Sequence, residues 1–195
     1  MRDALDRFYT PDDIALKCVN RTLRIFGTGH SYIEPSAGDG AFVRALDDKS
    51  LPYKAFDISP SKRCAACIEQ IDFFDIKCDD VCEHAIYIGN PPFGERTTMA
   101  TSFIKHCIDL SADGIAFVLP MTFDKLSKQR VFPDDWRLID ELSLGMTSFN
   151  VLDHVKRPIK IPVVFQIWTC QPDVMPQCNL PSCRVRKPRG FSLEG

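Results

Sequence analysis

The stretch that most limits what this chain can become is Ala85-Ile86-Tyr87-Ile88-Gly89-Asn90-Pro91-Pro92-Phe93-Gly94. A short apolar run ends in a polar amide and two consecutive prolines. Proline has no N–H for a sheet ladder and locks φ, so neither a strand nor a helix continues smoothly through Pro91-Pro92. The run therefore reads as a buried strand whose end carries Asn90, two rigid residues and the ring of Phe93. In open α/β sheets, ligands bind at that end of the strands.

The remainder of the chain supplies the sheet. Ser31-Tyr32-Ile33-Glu34, Tyr53-Lys54-Ala55-Phe56-Asp57, Gly114 to Pro120, Leu138 to Leu144 and Pro162 to Thr169 read as further strands. Helical signals fall between them. Thr10 is a capping residue, Pro11 suits a first helical position, and Asp12-Asp13 suit the positive end of a helix dipole. Ile14, Ala15, Cys18, Val19, Leu23 and Phe26 then mark an apolar face up to Gly27-Thr28-Gly29. Ala41 to Leu46, Ser61 to Gln70 and Thr98 to Leu110 are the other predicted helices, the last with Phe103, Cys107 and Leu110 on one face. Ile71 to Asp75 reads as a loop or short strand. Alternating strand and helix predict an α/β fold with a largely parallel sheet. The last two strands have no helix between them, which fits an antiparallel pair.

With 195 residues, 45% of them hydrophobic and 26% charged, one domain with a real core is expected. We place it at residues 1–170, followed by a Pro-rich, basic and irregular tail at 171–195. No apolar run approaches a membrane span, and Met1-Arg2-Asp3-Ala4-Leu5-Asp6 lacks a signal-peptide core. The expectation is a soluble, intracellular protein with no membrane partner. A net charge of −2 excludes a chain that binds nucleic acid through bulk charge. Any such contact needs a local patch. Two basic clusters are available: His154, Lys156, Arg157 and Lys160, and then Arg184, Arg186, Lys187 and Arg189. The nine cysteines are irregularly spaced. Cys64, Cys67, Cys78 and Cys82 have the spacing of two ligand pairs, but Cys64 and Cys67 fall in the predicted helix. Reduced thiols and no metal are expected.

Three further places could carry chemistry. Glu34-Pro35-Ser36-Ala37-Gly38-Asp39-Gly40 joins a strand to a helix, and its glycines let backbone approach a ligand closely. It is equally a tight βα turn. Asp57 ends the next strand, where a carboxylate can accept both hydroxyls of a ribose, or simply be a solvated turn aspartate. Asp72-Phe73 could meet an adenine with its carboxylate and ring, or be a core phenylalanine beside surface acids.

Phe8-Tyr9-Thr10-Pro11, Glu34 to Gly40, Asp57, Asp72-Phe73 and Asn90-Pro91-Pro92-Phe93 occur in an order that resembles the gamma-type N6-adenine DNA methyltransferases and the modification subunits of restriction systems. The resemblance spans residues 8–169. It implies a Rossmann-like class I methyltransferase, a three-layer αβα fold whose seven-stranded, mostly parallel sheet has an antiparallel last strand. It implies S-adenosylmethionine as cofactor, held by Tyr9, Thr10, Pro11, Glu34, Ser36, Gly38, Gly40, Asp57, Asp72 and Phe73. It makes Asn90, Pro91, Pro92 and Phe93 the catalytic set. Acceptors at the Asn90 amide and the Pro91 carbonyl would bind the hydrogens of an adenine amino group. Phe93 would stack on the flipped-out or single-stranded base, with Phe149 on its far side. The implied substrate is nucleic acid, with DNA ahead of RNA. Such DNA enzymes carry a large recognition domain that this length does not accommodate. A specificity subunit, a homodimer or a structured RNA target would answer that. A protein N5-glutamine methyltransferase and a non-catalytic cofactor-binding subunit are the alternative readings.

Overall fold

A computed structural model describes residues 8–62, 64, 66–82, 84–149 and 159–174. His154, Lys156, Arg157 and the four basic residues of the tail lie outside them. The described chain runs α1 (Asp12–Phe26), β1 (Tyr32–Glu34), α2 (Ala41–Asp47), β2 (Tyr53–Asp57), β3 (Glu69–Gln70), β4 (Ile86–Gly89), α3 (Thr98–Asp109), β5 (Gly114–Pro120), α4 (Leu126–Gln129), β6 (Arg137–Phe149) and β7 (Ile159–Thr169). Seven strands form one sheet in the order β3-β2-β1-β4-β5-β7-β6. β7 is antiparallel to both β5 and β6, and the other pairings are parallel. This is the predicted α/β sheet with a reversed last strand.

Burial on both faces explains why these strands read as nearly continuous apolar runs. Ile86, Ile88, Ala116 and Val118 face the core shared with Ala15, Cys18 and Val19 of α1 and Phe42 and Leu46 of α2. Tyr87, Ile115, Phe117 and Leu119 face the other core, with Phe103, Ile104 and Cys107 of α3. Helices therefore flank the sheet on both sides. In α1 the buried stripe includes Thr22, whose hydroxyl donates to the Cys18 carbonyl at 2.9 Å and so enters the core satisfied. Arg21 of the same helix pairs with the buried carboxylate of Asp140 on β6.

Three local expectations change. The Pro11 residue itself occupies the cap position of α1, and no side chain caps the helix, so Thr10 has no capping role. The described residues of 61–70 do not form a helix. Turns occur at Lys62, Cys64 and Ala66, after which Glu69 and Gln70 pair with Phe56 and Asp57. Ile68 packs with Val43 and Ala55, and that tertiary contact with the β2 edge outweighs a weak helical preference. Phe73–Asp75 is a 3-10 turn, neither loop nor strand. Arg137 Nη2 donates to the carbonyls of Gln171, Pro172 and Val174 at 2.5, 3.0 and 3.3 Å, which ties residues 171–174 to the body.

Among the described residues, no helix is long and apolar enough to cross a membrane. Within the same set, no cluster of three or more His, Cys, Asp or Glu could hold a metal ion.

Gly114 opens β5 against the ring of Phe26. A Cβ there would stand 2.5 Å from Phe26 Cζ and 3.0 Å from Ile86 Cδ1. Gly114→Ala should destabilise the protein by about 1–3 kcal/mol through overpacking. Urea unfolding followed by circular dichroism would measure it, and an unchanged midpoint would show that α1 can move away from the sheet.

Candidate active site

The sheet order reverses direction between β1 and β4: the chain proceeds outward from β1 to β2, and later from β4 to β5. Loops leaving those two strands diverge and open a crevice at their C-terminal ends. That crevice is a cleft of about 520 Å³. It brings together Tyr9, Thr10, Ser36, Gly38, Asp57, Asp72, Phe73, Asn90, Pro91, Pro92 and Phe93 from segments far apart in sequence. Four predicted residues do not line it: Pro11, Glu34, Gly40 and Phe149.

The glycine loop forms one wall. Gly40 ends it at φ 82° as the cap residue of α2, a conformation costly for a residue with a Cβ. Asp57 braces the loop: its Oδ2 accepts from Gly38 N at 2.8 Å, and its Oδ1 from Ser59 N at 2.7 Å. Each oxygen keeps acceptor capacity toward the cleft. Tyr9 closes the loop from outside, its ring lying where a Gly38 side chain would go.

Glu34 lies beneath this wall, only 1% exposed. Its Oε1 accepts from Ser36 N at 3.2 Å, whereas its Oε2 is buried with no partner. The carboxylate sits directly over Gly89, where any Cβ would overlap it. Burial pushes the Glu34 carboxyl well above its ordinary range. The Ser36 N–H works against that rise, and the charge of Asp57 adds to it.

On the adjoining wall, Asp72 Oδ1 accepts from Phe74 N at 3.0 Å and caps the 3-10 turn. Phe73 is 2% exposed and stacks on Phe103 at 5.2 Å, with His106 edge-on at 4.8 Å. It is mainly a core residue. The half-buried Phe74 also lines the cleft.

The Asn90 side chain has a fixed orientation. Its Nδ2 donates to the Phe8 carbonyl at 2.9 Å, and its Oδ1 is a covered acceptor without a donor. The amide cannot be flipped profitably, because Phe8 offers only an acceptor. Ser36 Oγ donates to the Asn90 carbonyl at 3.4 Å, linking the two loops. Phe93 is 6% exposed and packs against Phe8 at 5.9 Å. Phe149 is fully buried, edge-on behind Phe93 at 6.4 Å, and does not line the cleft. Its place is in the core, where its ring packs behind Phe93 and Phe8.

Sequence reasoning missed Phe8, Ile58, Phe74 and Met99 as cleft residues. Ile58 is 51% exposed immediately after Asp57. An apolar residue following a strand-ending acid was the available signal.

No protein-family model and no curated protein matches the sequence. Solved structures do match. A supposed RNA methyltransferase from Pyrococcus horikoshii superposes with a TM-score of 0.59 at 15% identity, over 85% of this chain and 88% of that one. The M protein of the type I restriction enzyme EcoKI gives 0.61 at 15%, over 89% and 46%. A modification subunit of a supposed type I restriction enzyme from Vibrio vulnificus gives 0.57 at 12%, over 85% and 45%. The chain thus spans about half the length of the two restriction subunits. At these identities the shared property is the fold.

Glu34 makes the site sensitive to pH. Its raised folded value means that its contribution to stability is fully present below about 4.5 and is lost as pH rises toward the folded value. Glu34→Gln removes that dependence. The variant should match the parent near pH 4 and gain stability relative to it as pH rises to 8, in urea titrations at each pH. A parallel pH dependence of the two proteins would show that the carboxyl is not held protonated.

Proposed function

We propose that this chain is an S-adenosylmethionine-dependent methyltransferase acting on the N6 amino group of adenine in nucleic acid, DNA ahead of RNA. The observation that carries the reading is the Asn90 amide. An acceptor shielded from water and left without a donor costs about 1–3 kcal/mol. An entering amino group recovers that cost. With its other end tied to Phe8, the amide has only its covered oxygen left to accept a hydrogen bond, and a ligand meets that oxygen once the loop yields enough to uncover it.

The cleft's other walls fit the cofactor. Asp57 has free acceptor positions for ribose hydroxyls, and Asp72 has an uncommitted Oδ2 for an adenine amino group. Ile58 and Phe74 offer apolar surface, and the Ser36–Gly38 backbone can lie close to the methionine portion. Tyr9, Thr10 and Pro11 close that end. Glu34 and Gly40 act as positioning residues for the loop. When bound, the cofactor supplies a sulfonium-activated methyl group.

The chain's own residues align the acceptor nitrogen. An adenine amino group is a poor nucleophile because its lone pair is delocalised into the ring. Asn90 Oδ1 and the Pro91 carbonyl accept its two hydrogens and favour a pyramidal nitrogen with an available lone pair. Positive charge that develops on nitrogen meets these fixed dipoles, so no strong base is required. Pro91 and Pro92 hold both acceptors rigid, and Phe93, backed by Phe149, offers a face to the target base. A base reaches this cleft only when flipped out or unpaired. Sequence recognition is assigned to a second subunit or a second copy.

The test is incubation of parent and Asn90→Ala with labelled cofactor and, separately, duplex DNA, single-stranded DNA, ribosomal RNA and protein extract, followed by nucleoside analysis. Label should appear in N6-methylated adenine nucleoside. Asn90→Ala should lose roughly 10²–10³-fold in methyl transfer while binding S-adenosylmethionine nearly as well as the parent. Equal turnover by the two proteins removes the mechanism, and label found in protein glutamine replaces the substrate.

A further inference from the structure

The loop that ends β4 is followed at once by backbone of an unusual kind. Gly94, Arg96 and Thr97 have φ of 66°, 52° and 70°. Arginine and threonine adopt that region only where their surroundings enforce it, and such enforcement clusters at functional sites. Lys128 of α4 enforces it here. Its Nζ donates to the Arg96 carbonyl at 2.9 Å and to Thr97 Oγ1 at 2.7 Å. Both acceptors are neutral, so neither cancels the ammonium charge.

Arg96, Lys125 and Arg130 are exposed, and among the described residues none of them has a carboxylate partner. Glu95 and Asp124 are the acids of these two segments, so four cations stand with two anions. Gly94, Glu95 and Met99 line the cleft, so the segment that carries Arg96 borders it, while the four cations themselves stand outside the lining. The glycine loop, the end of β2 and the segment after β3 contribute Asp39, Asp57 and Asp72 to the lining, with Asp39 facing Arg44 at 3.9 Å. A polyanion is repelled by that side and attracted by this one.

We infer that residues 95–98 and 125–130 form the docking ridge for the phosphodiester backbone of the target strand, with Arg96 and Lys125 each taking a phosphate. The inference rests on the nucleic-acid reading under Proposed function and states where the strand lies. A base stacked by Phe93 keeps its sugar and phosphates outside the cleft mouth. The cationic rim beside Phe93 is where they meet charge of opposite sign. Leu126 is 49% exposed on the same short helix and adds an apolar surface next to the phosphates.

The experiment measures binding of a fluorescein-labelled, adenine-containing single-stranded oligodeoxynucleotide, and its RNA counterpart, as a function of salt. The proteins are the parent, Arg96→Gln/Lys125→Gln, and Arg24→Gln. Arg24 lies in the last turn of α1, at the opposite end of the sheet. Every phosphate left without its cation should flatten the slope of log affinity against log salt by about 0.7. The double variant should therefore have a slope shallower by roughly 1.4, and Arg24→Gln the parental slope. Calorimetry with S-adenosylmethionine reports whether the fold is intact in each protein. If the parent binds and the double variant keeps the parental slope, the ridge is wrong and the nucleic-acid reading stands. If the parent binds neither strand and labels protein instead, the reading itself fails and the ridge with it.

Discussion

The site depends on the contact between the Glu34 carboxylate and the bare Cα of Gly89. β1 and β4 run parallel with Tyr32 opposite Ile86 and Ile33 opposite Tyr87. That register sets Glu34 opposite Ile88, and its carboxyl reaches on over Gly89, where only a residue without a side chain leaves room for it. The spacing of the two loops follows. Ser36, two residues after Glu34, lies close enough for its hydroxyl to reach the Asn90 carbonyl. A buried carboxyl with one oxygen unpaired is a costly way to set a distance. Its retention is understandable if the same group shapes the glycine loop through Ser36 N–H.

The N-terminal segment is a wall of the site as well as an entry to α1. Phe8 accepts from Asn90, 82 positions later, and its ring touches both Phe93 and Phe149. Three aromatic rings from three distant segments thus pack together, and the residue that supplies one of them also holds the amide. Phe149 contributes from the end of β6, and its burial keeps Phe93 from rotating away from the cleft. The amide and the ring are consequently positioned by the same residues, so geometry and stacking are coupled at this point.

Much of this was legible in the sequence because the strands are buried on both faces and leave continuous apolar runs. Tyr53–Asp57 has the predicted limits, and β4 stops at Gly89, directly before Asn90 and the double proline. Legibility fails where long-range contact decides. Glu69 and Gln70 are exposed on both faces and carry no periodicity, so only their pairing with Phe56 and Asp57 makes them a strand. Phe149 has the composition of a stacking residue and the burial of a core one, and no local signal separates the two. Phe73 divides in the same way, since its ring faces Phe103 and His106, contributed by α3. The basic clusters that stood out by density fall largely outside the described residues. The cations beside the cleft are dispersed along the chain and converge only through the fold.

Lys128 shows why that convergence could not be read locally. It is 32 residues from Arg96, and its value lies in holding two left-handed residues that would each cost about 1–3 kcal/mol unaided. Two hydrogen bonds from an ammonium group offset part of that cost. They also fix the turn that connects the Phe93 loop to α3. α3 in turn places Phe103 against Phe73, so the turn is held from both sides of the cleft. Because the turn's acceptors are neutral, the lysine rigidifies it without surrendering its charge. The choice of neutral partners leaves the Lys128 charge uncancelled in a chain of net charge −2, as the proposed docking ridge requires.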